Sequence, residues 1–337
     1  MQTQAPSWTV VSTMNEPLAL MLTFAAWHLD QGASAIEIYL DRNDPPAADA
    51  LRALPSVRVT HCDDAYWQAS ALKRRPARHT ARQMHNARQS YARLKSDWLL
   101  HIDADEFVRD GAALTQAMAN ARPETTYIQL GVLERVFTEN DGTQIFDGTF
   151  RHYSPDFEQW KDTVYGRFAK FLQHGLSGHS AGKAAVRRGL DLRINLHHPT
   201  LEDGSAPDAF ERLPKMLCHF DGLTELHLIL KLVRRLYLPK IKGNPNPHGK
   251  NRGAQMRFAN NHKERSRELQ RLVDGIQRLD AVQRAQLTAL GALTEYRFDP
   301  RPALARFDLA PDLSAKAFDT ELRQRDAELI AKAGLKN

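Results

Sequence analysis

Cysteine is scarce in this chain: Cys62 and Cys218 are the only two among 337 residues. Two thiols so far apart in sequence match no metal-binding spacing and form no disulfide framework. This scarcity excludes a zinc site built on thiolates and a small scaffold held together by disulfides. We therefore expect a protein of a reducing compartment.

Long apolar runs are also missing. The longest, residues 18–29, is shorter than the roughly 20 residues that a membrane-spanning helix needs. The first eight residues lack the basic and apolar regions of a signal peptide. We therefore expect a soluble, cytoplasmic protein whose contact with a membrane is limited to peripheral binding at the inner face.

The charge excess is small, with 46 Lys and Arg against 40 Asp and Glu, and a few segments hold much of it: residues 73–75, 187–188 and 231–257. Such patches suit anionic partners, namely nucleotide phosphates, a lipid diphosphate, an acidic membrane or nucleic acid. A solvated basic surface has the same sequence pattern. A hydrophobic content of 42% indicates a folded core in one large domain or two modest ones.

Strand and helix patterns alternate through the first hundred residues, which predicts an α/β fold with a parallel sheet covered by helices. The predicted strands are 8–13, 36–40, 57–60 and 98–103, with helices at about 17–31, 44–54 and 80–94. Later strands are predicted at 126–132, 136–137, 184–186, 193–196 and 215–219, and helices at 225–237, 256–290 and 315–333. Residues 240–253 form a basic loop rich in Gly, Pro and Asn. We predict a first domain over 1–238, and this loop with a helical C-terminal region over 239–337.

An acidic segment follows the fourth predicted strand. The apolar run that begins at Trp98 leads into Asp103, Asp105 and Glu106. In strand geometry Asp103 and Asp105 point the same way, and two such carboxylates are stable together when a cation lies between them. Mg²⁺ and Mn²⁺ take oxygen ligands and leave positions for phosphate oxygens. The spacing therefore predicts a metal–diphosphate site.

Two other strand ends carry polar residues, with Asn15 and Glu16 after the first strand and Asp41 after the second. The carboxyl ends of parallel strands meet at one edge of the sheet, where α/β proteins bind ligands. These residues and the acidic segment therefore predict one shared site. The alternative for Asp41 is a helix cap or a turn residue.

Residues 8–110 resemble the family-2-type glycosyltransferases of GT-A fold. The resemblance is to the branch with Asn-Glu after the first strand and a Trp-x-x-x-x-Asp-x-Asp-Glu-Phe signature. The Glu-Asp and Gln-x-x-Arg-Trp motifs of the larger family are not found. The matching positions are Asn15, Glu16, Gln83, Asn86, Tyr91, the signature at 98–107, and the downstream pieces 182–187 and 218–220.

The resemblance implies a GT-A-type fold: a Rossmann-like, mostly parallel sheet flanked by helices, with a helical C-terminal extension. It implies an enzyme that moves a sugar from a nucleotide-sugar donor, expected to be a UDP-sugar, to an acceptor hydroxyl with inversion. The acceptor would be a glycan, a polysaccharide or a lipid-linked molecule. The expected cofactor is Mn²⁺ or Mg²⁺, which would neutralise the charge that grows on the departing diphosphate. Residues 1–238 would form the catalytic domain.

The resemblance also implies roles for the residues of the strand ends. Asp105 would hold the metal, and Asp103 would meet the metal, a metal-bound water or the ribose. Asp41 would face the base or ribose, and Asn15 and Glu16 would complete the nucleotide site.

Residues farther along the chain supply further candidates. A third metal ligand is commonly a histidine, for which His219 is the first choice and His197 the second; either can equally be structural. Lys183 and Arg187 would bind the diphosphate or the acceptor, or lie on a solvated face. No spacing rule chooses the general base that deprotonates the acceptor. The base candidates are Glu134, Asp156 and Asp221.

Three other functions fit the same residues less well. A phosphatase of the haloacid dehalogenase type carries its Asp-x-Asp on the first strand, whereas three strands come first here, and Phe107 stands where Thr or Val is usual. A nucleotidyltransferase remains the main alternative, although residues 14–17 are not the basic, Gly-rich loop expected after its first strand. A nucleic-acid-binding protein would explain the basic segments but not the acidic one. We therefore expect no nucleic-acid partner.

Overall fold

The computed structural model describes residues 5–238 and 249–335, and the chain divides into two compact units. Unit 1 comprises Met1–Val132, Ala181–Leu217 and Pro300–Pro311. Unit 2 comprises Leu133–Ser180, Cys218–Asp299 and Asp312–Asn337. The proposed division into 1–238 and 239–337 stays a prediction.

The helices and strands follow in chain order. The strands are β1 (Trp8–Met14), β2 (Ala35–Leu40), β3 (Val57–His61), β4 (Trp98–His101), β5 (Glu106–Val108), β6 (Tyr127–Val136), β7 (Thr149–His152), β8 (Lys183–Arg187), β9 (Phe210–His219) and β10 (Leu293–Thr294). The helices are α1 (Leu18–Asp30), α2 (Pro45–Arg52), α3 (Asp64–Ala69), α4 (His79–Ala92), α5 (Gly111–Asn120), α6 (Phe157–Tyr165), α7 (Glu225–Leu236), α8 (Lys250–His262), α9 (Ser266–Gln277), α10 (Ala281–Ala289), α11 (Arg301–Ala305), α12 (Ala315–Arg325) and α13 (Ala327–Ala333). A 3₁₀ helix covers Gly166–Phe171.

The sheet of unit 1 has the strand order β6-β8-β4-β1-β2-β3. Strands β3, β2, β1 and β4 are parallel to one another, and β8 runs antiparallel to both β4 and β6. The order 3-2-1-4 is that of a Rossmann-like sheet. The predicted α/β fold, with a Rossmann-like sheet flanked by helices and helices in the C-terminal part, is confirmed.

The core of unit 1 explains why these segments form these elements. All four residues of β4 are buried, as expected for a parallel strand covered on both faces. Helix α1 buries every residue from Leu20 to His28, so it lies inside the unit rather than on its surface. Helix α2 begins where the sequence predicts, because Asp44 accepts a hydrogen bond from the Ala47 backbone N–H and Pro45 starts the helix.

Unit 2 is mainly helical. The end of β6 pairs antiparallel with β7, and β7 pairs with β10. Helix α7 packs one apolar side into the core of this unit, which includes Leu228, Leu232, Val273 and Ile276. Its cations are engaged within the unit: Arg234 pairs with Asp326 at 2.7 Å, and Lys231 lies 3.8 Å from Asp221.

Several predicted elements differ from those observed. Strand β4 ends two residues early, at His101, and the two strands predicted at 126–137 are one strand, β6. Residues 193–196 form no strand; only an isolated bridge joins Arg193 to Thr200. The helix predicted over 315–333 is two helices, because Asp326 leaves the helical conformation.

The predicted basic loop over 240–253 has two parts. Lys240 and Lys242 lie outside the described residues. From Lys250 onward the chain is helical, in α8, so this part of the prediction is wrong. In the described part of the chain, no helix is both long enough and apolar enough to cross a membrane.

Candidate functional site

Polar residues follow three parallel strands of unit 1 at one edge of the sheet. Strands β1, β2 and β4 are neighbours in the order β4-β1-β2, and they end at Met14, Leu40 and His101. Loops after neighbouring parallel strands meet at one edge. We call five residues of these loops, together with Glu106 at the start of β5, the carboxyl edge: Asn15, Glu16, Asp41, Asp103, Asp105 and Glu106.

A buried lysine sits among the acids of this edge. The Nζ atom of Lys183 lies 2.7 Å from Oδ2 of Asp103 and 3.2 Å from Oε2 of Glu106, and the lysine side chain is 1% exposed. The register of β4 with β8 pairs Leu100 with Ala185, so Lys183 reaches past the end of β4. Burial alone would lower the pKa of Lys183, but the two carboxylates raise it above its usual value. The lysine is therefore a fixed positive charge within the edge.

Asp103 is held from several directions. Its Oδ1 accepts a hydrogen bond from Nε2 of Gln83, its Oδ2 meets Lys183, and its backbone N–H donates to Glu106 at 2.8 Å. The strand predicted to carry Asp103 and Asp105 is wrong in its extent, because β4 ends at His101 and both acids lie in the segment that follows, where strand alternation does not apply. Asp105 is buried in that segment, with 6% of its surface exposed.

Asp41 is clamped by two arginines. Arg82 donates from Nε and Nη2 to its carboxylate at 2.8 and 2.6 Å, and Arg75 donates from Nη2 at 2.8 Å. Asp41 caps no helix; Asp44 is the cap of α2. Sequence reasoning missed both arginines. One feature of the sequence could have indicated Arg82: it precedes Gln83 on α4, the helix that also carries Asn86 and Tyr91 of the family resemblance.

Side chains of helix α4 form hydrogen bonds with residues at and next to the carboxyl edge. Asn86 donates to the Thr13 hydroxyl at 2.9 Å and accepts from the Tyr66 O–H at 2.7 Å. Gln83 lies three residues earlier, on the same face of the helix, and donates to Asp103. One face of α4 therefore fixes the ends of β1 and β4 together. Asn15 and Glu16 are half-buried in the loop between β1 and α1.

Lys183 and Arg187 lie at opposite ends of β8. Arg187 donates to the carbonyls of Thr125 at 2.7 Å and Arg122 at 2.8 Å, and it stacks on the ring of Trp98, which begins β4. The structure therefore places Arg187 at the amino end of β4, not at the carboxyl edge.

His197 lies in unit 1, half-buried. Its Nδ1 is 2.9 Å from the carbonyl oxygen of Gly182, the residue before Lys183. Gly182 has a φ of +70°, and a Cβ there would lie 2.0 Å from the Leu130 carbonyl oxygen. This position therefore accepts only glycine, because any larger residue would clash with the Leu130 carbonyl.

The predicted bases Glu134 and Asp221 belong to a buried ion cluster in unit 2, which we define as Glu134, Arg151, Asp221, Lys231 and Arg252. Glu134 pairs with Arg151 at 2.7 Å, with both side chains at most 1% exposed. It also accepts from the backbone N–H groups of Ser177 and Gly178 at 2.7 and 2.6 Å. Burial, the largest single effect, would raise its pKa, but Arg151, His219 and the Ser177 backbone N–H together hold the pKa below its usual value.

Asp221 is similarly engaged. Arg252 donates to it at 2.7 Å and the Ser177 hydroxyl at 3.0 Å. Although burial acts to raise its pKa, Arg252 and Lys231 hold the pKa well below the usual range. Carboxylates with low pKa values are weak proton acceptors, so this geometry favours a structural role for both. Asp156, the third base candidate, is exposed at the start of α6.

His219 lies in unit 2 beside a second histidine that sequence reasoning missed. Its ring centroid is 5.1 Å from that of His179, and nitrogens of the two rings come within 4.8 Å of each other. A Cβ at Gly178 would lie 2.7 Å from His219 and 2.8 Å from Glu134, so glycine is needed for this approach. Paired imidazoles can bind a transition metal. No spacing in the sequence links His179 to His219.

No protein-family model and no curated protein matches the chain. Solved structures show weak likeness. Residues 1–349 of S. aureus TarS are 11% identical, with 97% of this chain and 90% of that chain covered and a TM-score of 0.34. A mycobacterial protein is 10% identical over 98% of this chain and 76% of that chain, with a TM-score of 0.32.

A third structure, CMP:2-keto-3-deoxy-manno-octonic acid synthetase complexed with CTP, is 12% identical with a TM-score of 0.25. The match covers 38% of this chain and 53% of that one, so the chain spans about half of that structure. At these scores the comparisons assign neither a family nor an activity.

Proposed function

We propose that this protein is a metal-dependent glycosyltransferase that moves a sugar from a nucleotide-sugar donor to an acceptor hydroxyl. The observation that carries the proposal is the carboxyl edge: the ends of three neighbouring parallel strands bring Asp41 and the acidic turn to the edge where α/β sheets bind nucleotides. The resemblance of residues 8–110 to family-2-type glycosyltransferases supports the same activity.

The residues of the edge fit a divalent cation through Asp105. The two oxygens of Asp103 accept hydrogen bonds from Gln83 and Lys183. We propose Asp105, the second acid of the same segment, as the carboxylate ligand for Mn²⁺ or Mg²⁺. When bound, such a cation supplies positive charge to the departing diphosphate. Lys183 supplies a second positive charge from the protein itself and keeps Asp103 in place. His219 and His197 remain proposed ligands.

Nucleotide binding would separate this activity from its alternatives. We expect UDP to raise the melting temperature of the protein when Mn²⁺ is present, and to have little effect in a chelator. A ligand at about 100 times its Kd adds roughly 2.7 kcal/mol to the free energy of unfolding. Asp105→Asn should abolish this shift while leaving the melting temperature of the free protein close to that of the wild type. Differential scanning fluorimetry measures both.

Asp49→Asn is the matched control, since Asp49 is an exposed carboxylate of α2 whose partner is Arg52 on the same helix. It should keep the full shift. An Asp105→Asn variant with wild-type shift and turnover in Mn²⁺ would show that the metal assignment is wrong. A shift with CTP and Mg²⁺, but with no nucleoside diphosphate, would indicate nucleotidyl transfer instead.

The donor base gives a second test. We expect UDP to bind more tightly than ADP or CMP, because Asp41 and its partner Arg75, which is 42% exposed, offer a carboxylate and a guanidinium to the base or ribose. Isothermal titration in Mn²⁺ compares the three nucleotides. Asp41→Asn should reduce the preference for UDP. Equal affinity of the wild type for all three would remove Asp41 from the nucleotide site.

A further inference from the structure

An unbalanced positive charge lies in the connection between α3 and α4, residues 70–78, which we call the α3–α4 loop. From residue 65 to residue 96 the chain has eight Lys and Arg and no Asp or Glu. Three of these cations are engaged with other groups of unit 1, namely Arg82, Arg88 and Arg93. Four others lie in the α3–α4 loop itself, namely Lys73, Arg74, Arg75 and Arg78. No acid of the same segment balances them, so the loop suits an anionic partner.

The second half of the α3–α4 loop is fixed against the carboxyl edge. Arg75 donates from Nη2 to the Asp41 carboxylate at 2.8 Å and to the Asp41 carbonyl at 3.1 Å. The buried Arg82 donates from Nη1 to the carbonyls of Pro76 and Ala77 at 2.7 and 3.0 Å. Because these hydrogen bonds hold the backbone in one place, the loop has little conformational entropy to lose when a partner binds.

The first half of the loop exposes an apolar side chain beside two cations. Leu72, Lys73 and Arg74 are consecutive and exposed, with 43% of Leu72 accessible to solvent. Ser70 organises this turn: its hydroxyl accepts from the Leu72 N–H at 3.2 Å, and its carbonyl accepts from the Lys73 N–H at 3.1 Å. Within the part of the chain that the structure describes, neither Lys73 nor Arg74 pairs with a carboxylate. The turn therefore presents two uncompensated charges together with an apolar group.

We propose that the α3–α4 loop docks unit 1 on the surface of an anionic lipid bilayer. Lys and Arg side chains near such a surface are attracted to its headgroups, and salt screens this attraction. An exposed leucine next to them can enter the boundary between headgroups and acyl chains. A soluble phosphate compound or a nucleic acid would compensate the cations but leave Leu72 in water. A bilayer therefore accounts for more of this surface.

Docking at this loop would also hold the carboxyl edge close to the bilayer, because Arg75 joins the loop to Asp41. An acceptor held in the membrane would then reach that edge, a consequence that rests on the proposed transferase activity. The docking itself does not rest on that activity, since binding to a vesicle requires neither nucleotide nor metal. A failure of one proposal therefore leaves the other standing.

Flotation of the full-length protein with vesicles tests the docking. We expect binding at low salt to vesicles of phosphatidylglycerol and phosphatidylcholine, and little binding to phosphatidylcholine alone. The binding should be lost in about 1 M NaCl, where the Debye length is about 3 Å. Lys73→Gln combined with Arg74→Gln should lower the partition coefficient roughly thirtyfold, as expected for two cations near an anionic surface. Leu72→Ser should lower it about fivefold.

Arg52→Gln combined with Lys95→Gln is the matched control, because it removes the same charge from exposed residues of unit 1 outside the loop. This variant should bind vesicles as the wild type does. The proposal is overturned if the wild type does not bind anionic vesicles, if it binds phosphatidylcholine equally well, or if the two double variants bind alike. A Leu72→Ser variant with wild-type affinity would also overturn it, and would indicate a site for soluble anions instead.

Discussion

Replacing Arg151 by methionine should lower the free energy of unfolding by about 3–5 kcal/mol. Arg151 and Glu134 form an ion pair in which neither side chain is more than 1% exposed. Without the guanidinium, the hydrogen bonds that Glu134 keeps within the described residues come from the backbone of Ser177 and Gly178, and His219 lies 3.9 Å away. An uncompensated carboxylate then remains buried, and its pKa should rise toward or above its usual value. Chemical denaturation at neutral pH measures the loss.

A surface ion pair provides the control. Arg284 and Glu295 lie 2.9 Å apart, but their side chains are 48% and 53% exposed. Arg284→Met should therefore cost less than about 1 kcal/mol. If the two substitutions lower the free energy of unfolding by the same amount, the Glu134–Arg151 pair is not a major stabilising contact. Its burial would then add nothing to its contribution. A smaller loss for Arg151→Met at low pH than at neutral pH would fit the protonation of Glu134.

Lys183→Met should have the second large effect, a loss of about 3–5 kcal/mol in the presence of a chelator. Lys183 compensates Asp103 and the fully buried Glu106. Methionine has a similar length but no charge, so the fully buried Glu106 and the 30% exposed Asp103 would then repel each other without a counter-charge. Millimolar Mn²⁺ should restore more stability to this variant than to the wild type, because a divalent cation can take over the compensation of the carboxylates.

Lys95→Met is the control for this prediction, since Lys95 is an exposed lysine of the same unit. It should change neither the stability nor the response to Mn²⁺. A Lys183→Met variant as stable as the wild type in a chelator would contradict the role of Lys183 as the counter-charge of the edge. Equal Mn²⁺ responses of variant and wild type would instead exclude cation binding at these carboxylates.

The sequence predicted the features of this fold that depend on local patterns. Apolar runs, turn residues and Pro45 after the Asp44 cap together predict the alternation of strands and helices up to His101. The polar strand ends were visible for the same reason. The partners of these residues were not, because Lys183 meets Asp103 across 80 positions and Arg82 meets Asp41 across 41. Such pairings depend on tertiary packing, which a local sequence pattern does not predict.

The same limit applies to the base candidates. Glu134 was selected for its place near a strand end, yet its surroundings are set by Arg151, Ser177 and Gly178, which approach from other segments. A sequence shows that a carboxylate is present. Whether it is free to take a proton depends on the donors around it, which only the folded chain reveals.

The short helix α11 has a consequence for how the protein is made. It belongs to unit 1 and packs against α1, and nearby Arg306 pairs with Asp30 at the end of α1. The segment 300–311 that contains them leaves the ribosome only after most of unit 2 has been synthesised. Unit 1 therefore cannot complete its packing during translation of its own first segments, and contacts between such distant positions form slowly. Until then the part of α1 that α11 covers stays exposed, and exposed apolar surface on a nascent chain favours aggregation.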